Sequence, residues 1–292
     1  MKNLINYYYD LVIKNFKKKR DKFIFDVGNK TYEFVPFYGD INKFYNIYSI
    51  LIRNNKYCHE VIVNKDKNIL TFYEGKPYIL LKKNICINNR LNIQEILNYD
   101  IPVYVEKKLD WKILWEEKID YYEYQISQLA RKYSILKKSF DYYIGLSENA
   151  ISLLNYVDTN AVKNFVSHKR IIENEKLDEF FNPLNIVVDS RVRDIAEYIK
   201  VNFFNDKINM EEVLNYINNL NFTFSESLLF LARLLYPSYY FDIYDEIIQE
   251  KISEESIKKY IKKNTSYEIF LKEIYKYIKS RYSIPEIEWL EI

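Results

Sequence analysis

The chain has 292 residues, 48% of them hydrophobic, with 43 Lys and Arg against 41 Asp and Glu for a formal charge of +2. That is enough apolar material for one large domain or two lobes sharing a cleft. The near-balance of charge excludes a dedicated nucleic-acid binder, which carries a basic excess on one face.

Residues Asn3 to Phe16 place Leu4, Tyr8, Leu11, Val12 and Phe16 at helical spacing, which predicts an amphipathic opening helix. The run Lys17-Lys18-Lys19-Arg20 reads as its solvated end. Alternation from Lys22 to Phe37 around Gly28-Asn29 predicts a hairpin. Helical period returns from Asp40, a natural N-cap, to Arg53. Two further hairpins are predicted, His59–Asn64 with Ile69–Tyr73, and the latter with Tyr78–Lys83 across the turn at Glu74-Gly75.

Beyond Asn92 the pattern changes. Apolar residues recur every three or four positions from Leu109 to Lys138, predicting one long amphipathic helix, and a second is expected from Ser147 to Val157. A strand-like insert with β-branched pairs spans Val162 to Asp189, and the rest is helical with breaks at Asn221, Pro237 and Pro285. The order implies an N-terminal lobe over 1–91 and a helical lobe over 92–292 carrying the insert near 162–189.

Cys58 and Cys86 with His59 and His168 make neither a zinc spacing nor a disulfide framework. Reduced thiols in a soluble cytoplasmic protein are the expectation. The tyrosine- and asparagine-rich start has no signal-peptide form, and no window is long and apolar enough for a membrane span. Four glycines in the whole chain leave too few for a P-loop or a Rossmann fingerprint. Trp111 and Trp115, four apart, and the cluster Tyr236, Tyr239, Tyr240 and Tyr244 read as packing.

The strings LDWKILWEEKID from Leu109, SFDYYIGLSENAISLL from Ser139, PLNIVVDSRVRDIAEYIK from Pro183 and LARLLYPSYYFDIYDEII from Leu231 resemble a family of kinase-like spore coat proteins of Firmicutes, related to the aminoglycoside and choline phosphotransferases. The resemblance implies an α+β, bilobal protein-kinase-like fold with a small antiparallel β-rich N-lobe and a larger, mostly helical C-lobe.

It also implies where catalytic parts should stand. Phosphoryl transfer from ATP needs a strand lysine on the phosphates, a catalytic-loop Asp, a nearby Asn and a metal-binding Asp. The family's His-x-Asp falls on His168-Lys169-Arg170, so the proton acceptor is replaced by a group that only donates. The loop Asn falls at Glu175, beside Asn174, and the strand-lysine neighbourhood reads Val35-Pro36-Phe37, with Lys30 at the turn. Asp189 stands where the metal-binding Asp belongs. In an alternative registration Asn185 is the loop Asn and the metal Asp is deleted. Asp194 matches the structural Asp that accepts backbone N–H groups of the catalytic loop.

These degenerate positions imply a non-catalytic, pseudokinase-like sporulation protein, synthesised in the mother cell and placed in the spore coat, with other coat or morphogenetic proteins as partners. No cofactor is then expected. The alternative is an atypical small-molecule phosphotransferase using ATP and Mg²⁺, with Asp189 and Asn185 as the cofactor-binding candidates.

Overall fold

The computed structural model describes residues 1–19, 21–83, 89–104, 110–129, 131–172 and 177–291. In chain order the elements are α1 (Lys2–Tyr9), β1 (Lys14–Lys19), β2 (Lys22–Val27), β3 (Lys30–Pro36), α2 (Ile41–Arg53), β4 (Glu60–Ile62), β5 (Leu70–Tyr73), β6 (Lys76–Lys82) and α3 (Ile93–Asn98). There follow α4 (Trp111–Leu129), α5 (Ser134–Leu154), β7 (Asn164–His168), α6 (Leu177–Phe180), a 3-10 turn at Pro183–Asn185, β8 (Ile186–Ser190), α7 (Val192–Phe203), α8 (Met210–Leu220), α9 (Phe224–Leu235) and α10 (Ser238–Ile248). A 3-10 turn at Glu254–Ile257, α11 (Lys258–Ile261), α12 (Asn264–Lys279) and α13 (Glu288–Glu291) close the chain.

The chain divides into two compact units, Met1–Glu95 with Asn174–Val187, and Ile96–Glu173 with Val188–Ile292. The first boundary falls four residues beyond the expected 91, and the segment before β8 belongs to the first unit although its sequence neighbours belong to the second.

The first unit is built on an antiparallel sheet in the order β1-β2-β3-β6-β4, with β5 also on β6. The expected opening helix is only half right. Asp10 takes a left-handed conformation and stops α1, and Lys14–Lys19 pairs with β2 as an edge strand. Its lysines face solvent, a common guard against edge-to-edge association, so they are not a helix end. Arg20 lies outside the described residues.

Gly28, at φ 59°, turns β2 into β3 where Val27 faces Lys30. Glu74 and Gly75 both have positive φ, as a tight two-residue turn between β5 and β6 requires. The predicted pairing of 59–64 with 69–73 does not form. Instead β4 and β5 each pair with β6. The reason is Asn64, which accepts the N–H groups of Asp66 and Asn68 and donates to Leu70 O and Thr71 Oγ1, making a local turn.

The sheet separates two apolar layers. One face carries Phe23, Phe25, Tyr32, Phe34, Tyr78 and Leu80 with Ile5 of α1. The other carries Ile79 and Leu81 against Phe44 of α2, with Val35, Tyr48 and Leu184. Helix α2 begins where expected, because Asp40 Oδ1 accepts from Asn42 N and Lys43 N.

In the second unit the long helix expected over 109–138 is two helices. The second starts at Ser134, where Glu254 Oε1 accepts the N–H groups of Ile135 and Leu136 and so supplies a charge-assisted cap from a distant turn. Ser147 is therefore not a helix start. It is fully buried inside α5 and donates to Tyr143 O one turn back. Helix α9 is buried along Ser225–Leu235 and packs on α5 and α7. The breaks at Asn221, which is left-handed, and at Pro237 and Pro285 fall between helices as predicted. Strands β7 and β8 pair as a separate two-stranded sheet. Among the described residues no helix is long and apolar enough to cross a membrane.

Candidate functional site

In the second unit β7 ends at His168, β8 carries Asp189, and the first turn of α7 carries Arg193 and Asp194. Asp194 is the pillar of the loop. Its two oxygens accept the His168 backbone N–H at 2.9 and 3.1 Å, and Oδ2 lies 2.6 Å from His168 Nδ1. Arg193 holds the same stretch from the other side, donating to His168 O at 2.8 Å and Lys169 O at 2.9 Å. His168 is 1% exposed, so its imidazole is a structural post.

Arg170, which the resemblance aligns with the acceptor Asp, points to α10 and makes a bidentate pair with Asp242, Nε to Oδ2 at 2.6 Å and Nη2 to Oδ1 at 2.8 Å. Both side chains remain partly exposed. A guanidinium so placed can neither accept a hydroxyl proton nor orient it toward a phosphate. Behind it Glu197 is buried. Burial pushes its carboxyl up, but the Lys200 ammonium at 2.8 Å and the Arg170 charge prevail and hold it at about 2.

Asp189 is 3% exposed and its oxygens are fully engaged. Oδ2 accepts from Arg193 Nη1 and Arg233 Nη2, both at 2.7 Å. Oδ1 accepts from Ser190 N at 2.7 Å and Trp111 Nε1 at 3.2 Å. The Trp111 ring lies 4.4 Å from the Arg233 guanidinium and 5.3 Å from that of Arg193, within cation–π reach of both. Burial lowers the pKa of Arg233, and Asp189 opposes it.

This donor set does not suit Mg²⁺. An octahedral cation at about 2.1 Å needs free carboxylate oxygens, and here it would meet two guanidinium charges first. Among the described residues no three His, Cys, Asp or Glu side chains gather as a metal site.

Asn185 lies in the first unit, where its Nδ2 donates to Glu179 O at 3.4 Å. Asn174 and Glu175 lie outside the described residues, as does Cys86. Cys58 is buried, and burial raises the pKa of its thiol to about 11.

The first unit has its own inversion. On β3 the residue facing the α2 side, in register with Leu81 and two before Val35, is Glu33, 2% exposed. Kinases place their phosphate-holding lysine on this strand, paired with a glutamate of the following helix. Here the acid is on the strand, and the buried residues of α2 are Phe44, Ile47 and Leu51. Glu33 is met by Lys22 at 2.7 Å and Lys83 at 2.9 Å. Lys83 also binds Asp178, whose Oδ1 is 3.5 Å from His59 Nε2. Despite burial, the two lysines hold Glu33 below the usual carboxylate range.

Sequence reasoning singled out His168, Arg170, Asp189 and Asp194, and the structure gathers them around one loop. It missed Glu33, Lys83, Arg193 and Arg233. Arg233 had a signal, a lone arginine in the apolar run LLFLARLL, which demands a buried partner.

An antiparallel sheet unit and a helical unit with this loop define a kinase-like phosphotransferase fold. The solved structures agree. An aminoglycoside phosphotransferase from Alicyclobacillus acidocaldarius matches with a TM-score of 0.69 at 11% identity, covering 96% of each chain. The choline kinase LicA from Streptococcus pneumoniae matches with a TM-score of 0.54 at 12% identity, covering 92% of this chain and 96% of that one. The family described as "Spore coat putative kinase YutH" matches residues 2–274, and the chain belongs to it. The "Endospore coat-associated protein YutH" of Bacillus subtilis (strain 168) is 28% identical over 281 residues, 82% of this chain and 81% of the relative.

Proposed function

We propose that this chain is a pseudokinase that works in the spore coat of a spore-forming Firmicute through contacts with other coat or morphogenetic proteins, and that it transfers no phosphate. The observation that carries the non-catalytic half is the engagement of Asp189 by Arg193, Arg233 and Trp111. A carboxylate already neutralised twice has nothing to offer a cation. Arg170 at the acceptor position supports the same reading. The coat half is supported by the family and by the name of the Bacillus subtilis relative. Synthesis in the mother-cell cytoplasm follows from it.

The alternative, a small-molecule phosphotransferase using ATP and Mg²⁺, would require Asp189 to leave both arginines. A thermal-shift series with ATP, ADP and GTP, each with Mg²⁺, separates the two. A bound nucleotide at 100 times its Kd stabilises by about 2.7 kcal/mol, a shift of several degrees. We expect no shift with any of them. A shift abolished by Asp189→Asn would favour the phosphotransferase.

A further inference from the structure

Residues 177–185, which precede β8 and follow the positions where the resemblance places the catalytic loop, belong to the first unit and are tied down there. Leu177 N donates to Asn89 O at 2.9 Å, and His59 N donates to Phe181 O at 3.0 Å. Asp178 binds Lys83, and Glu179 lies 3.6 Å from Lys22. The Phe181 ring meets Tyr57 edge-on at 4.6 Å. Leu184 packs on Phe37, Phe44, Ile79 and Leu81.

All these anchors lie on or beside one face of the sheet, the face shared with α2 and carrying Glu33. In a kinase this face presents the β3 lysine to the nucleotide phosphates. In this chain the lysine at the centre of the charge network is Lys83, largely buried, and the anions it holds are the protein's own Glu33 and Asp178. A buried ammonium requires an anion, and Asp178 supplies it internally.

We propose that residues 177–185 are a built-in occupant of the nucleotide face. The Asp178 carboxylate stands in for a phosphate opposite Lys83, and Leu184 fills the apolar floor beneath Val35, Ile79 and Leu81. The segment is an intramolecular pseudo-ligand, and it blocks this face independently of the state of Asp189. The idea rests on reading the sheet as a former nucleotide platform.

Native-state hydrogen exchange on the full chain tests it. Amides of 177–185 are expected to open together with those of β3 and β6, as one cooperative unit. Asp178→Ala and, separately, Leu184→Ala should each speed exchange at 177–185 by about tenfold or more, while α5 and α9 keep wild-type rates. Lys83→Met, which keeps the side-chain bulk and removes the charge, should act like Asp178→Ala. Exchange at 177–185 as fast as in exposed loops of the wild type would overturn the proposal. So would variants whose exchange rises equally throughout. Nucleotide binding by the wild type would overturn both this proposal and the pseudokinase reading, whereas fast exchange at 177–185 without nucleotide binding would overturn this proposal alone.

Discussion

Replacing Asp189 with alanine is expected to destabilise the protein by about 3–5 kcal/mol, because it strands two buried guanidinium groups. Arg193 and Arg233 both reach Asp189 Oδ2 at 2.7 Å, and Arg233 is 3% exposed, so neither charge gains water when the carboxylate goes. Arg193 also holds His168 O and Lys169 O, so the loop should loosen with it. Urea unfolding followed by tryptophan fluorescence measures the cost, and Trp111, in contact with the cluster, should report it directly. Asp189→Asn keeps an acceptor and should cost less. A metal-binding Asp held for catalysis behaves in the opposite way, since its removal relieves an unpaired charge. A neutral or stabilising Asp189→Ala would therefore contradict the structural role.

Glu33→Ala should be the second large effect, roughly 3 kcal/mol for opening a buried charge network. Among the described residues Lys22 and Lys83 then keep just the carboxylates of α6. The pH dependence follows from two groups in this network. Burial lowers the pKa of His59, with Asp178 opposing it. The folded state thus favours neutral His59, and its contribution is present above about pH 6.5 and falls as pH drops below that. Glu33, also depressed in the folded state, contributes above about pH 4.5 and is lost as pH falls through its folded value. Stability should decline in two stages on acidification. His59→Gln should flatten the upper stage and Glu33→Gln the lower, read from urea midpoints across pH. An unchanged profile in Glu33→Gln would remove Glu33 from the account.

Much of this was legible in residue order, for identifiable reasons. Asp40 as a cap, the turns at Gly28 and Gly75, and the breaks at Asn221 and Pro237 are local chemistry, and all appear. Where the outcome depended on distant partners, local pattern misled. Lys14–Lys19 has no strand alternation and becomes a strand because β2 lies beside it. The break before Ser134 is set by Glu254 from far along the chain. At the site, Arg170 could be read directly as the residue that the resemblance aligns with the acceptor Asp. The capture of Asp189 could not, since Arg233 is 44 positions away and only the fold brings it close. Glu33 is not legible from sequence, because only the strand register decides that it, rather than a residue of Val35-Pro36-Phe37, faces α2 beside Leu81.

If Asp189 is held by its arginines and the sheet face by residues 177–185, this kinase-like fold has no place for Mg·ATP. Calorimetric titration of Mg·ATP into the full chain tests it most directly. Only dilution heats are expected up to millimolar nucleotide. A saturable one-to-one isotherm in the micromolar range, about −8 kcal/mol, that disappears in Asp189→Asn would contradict it.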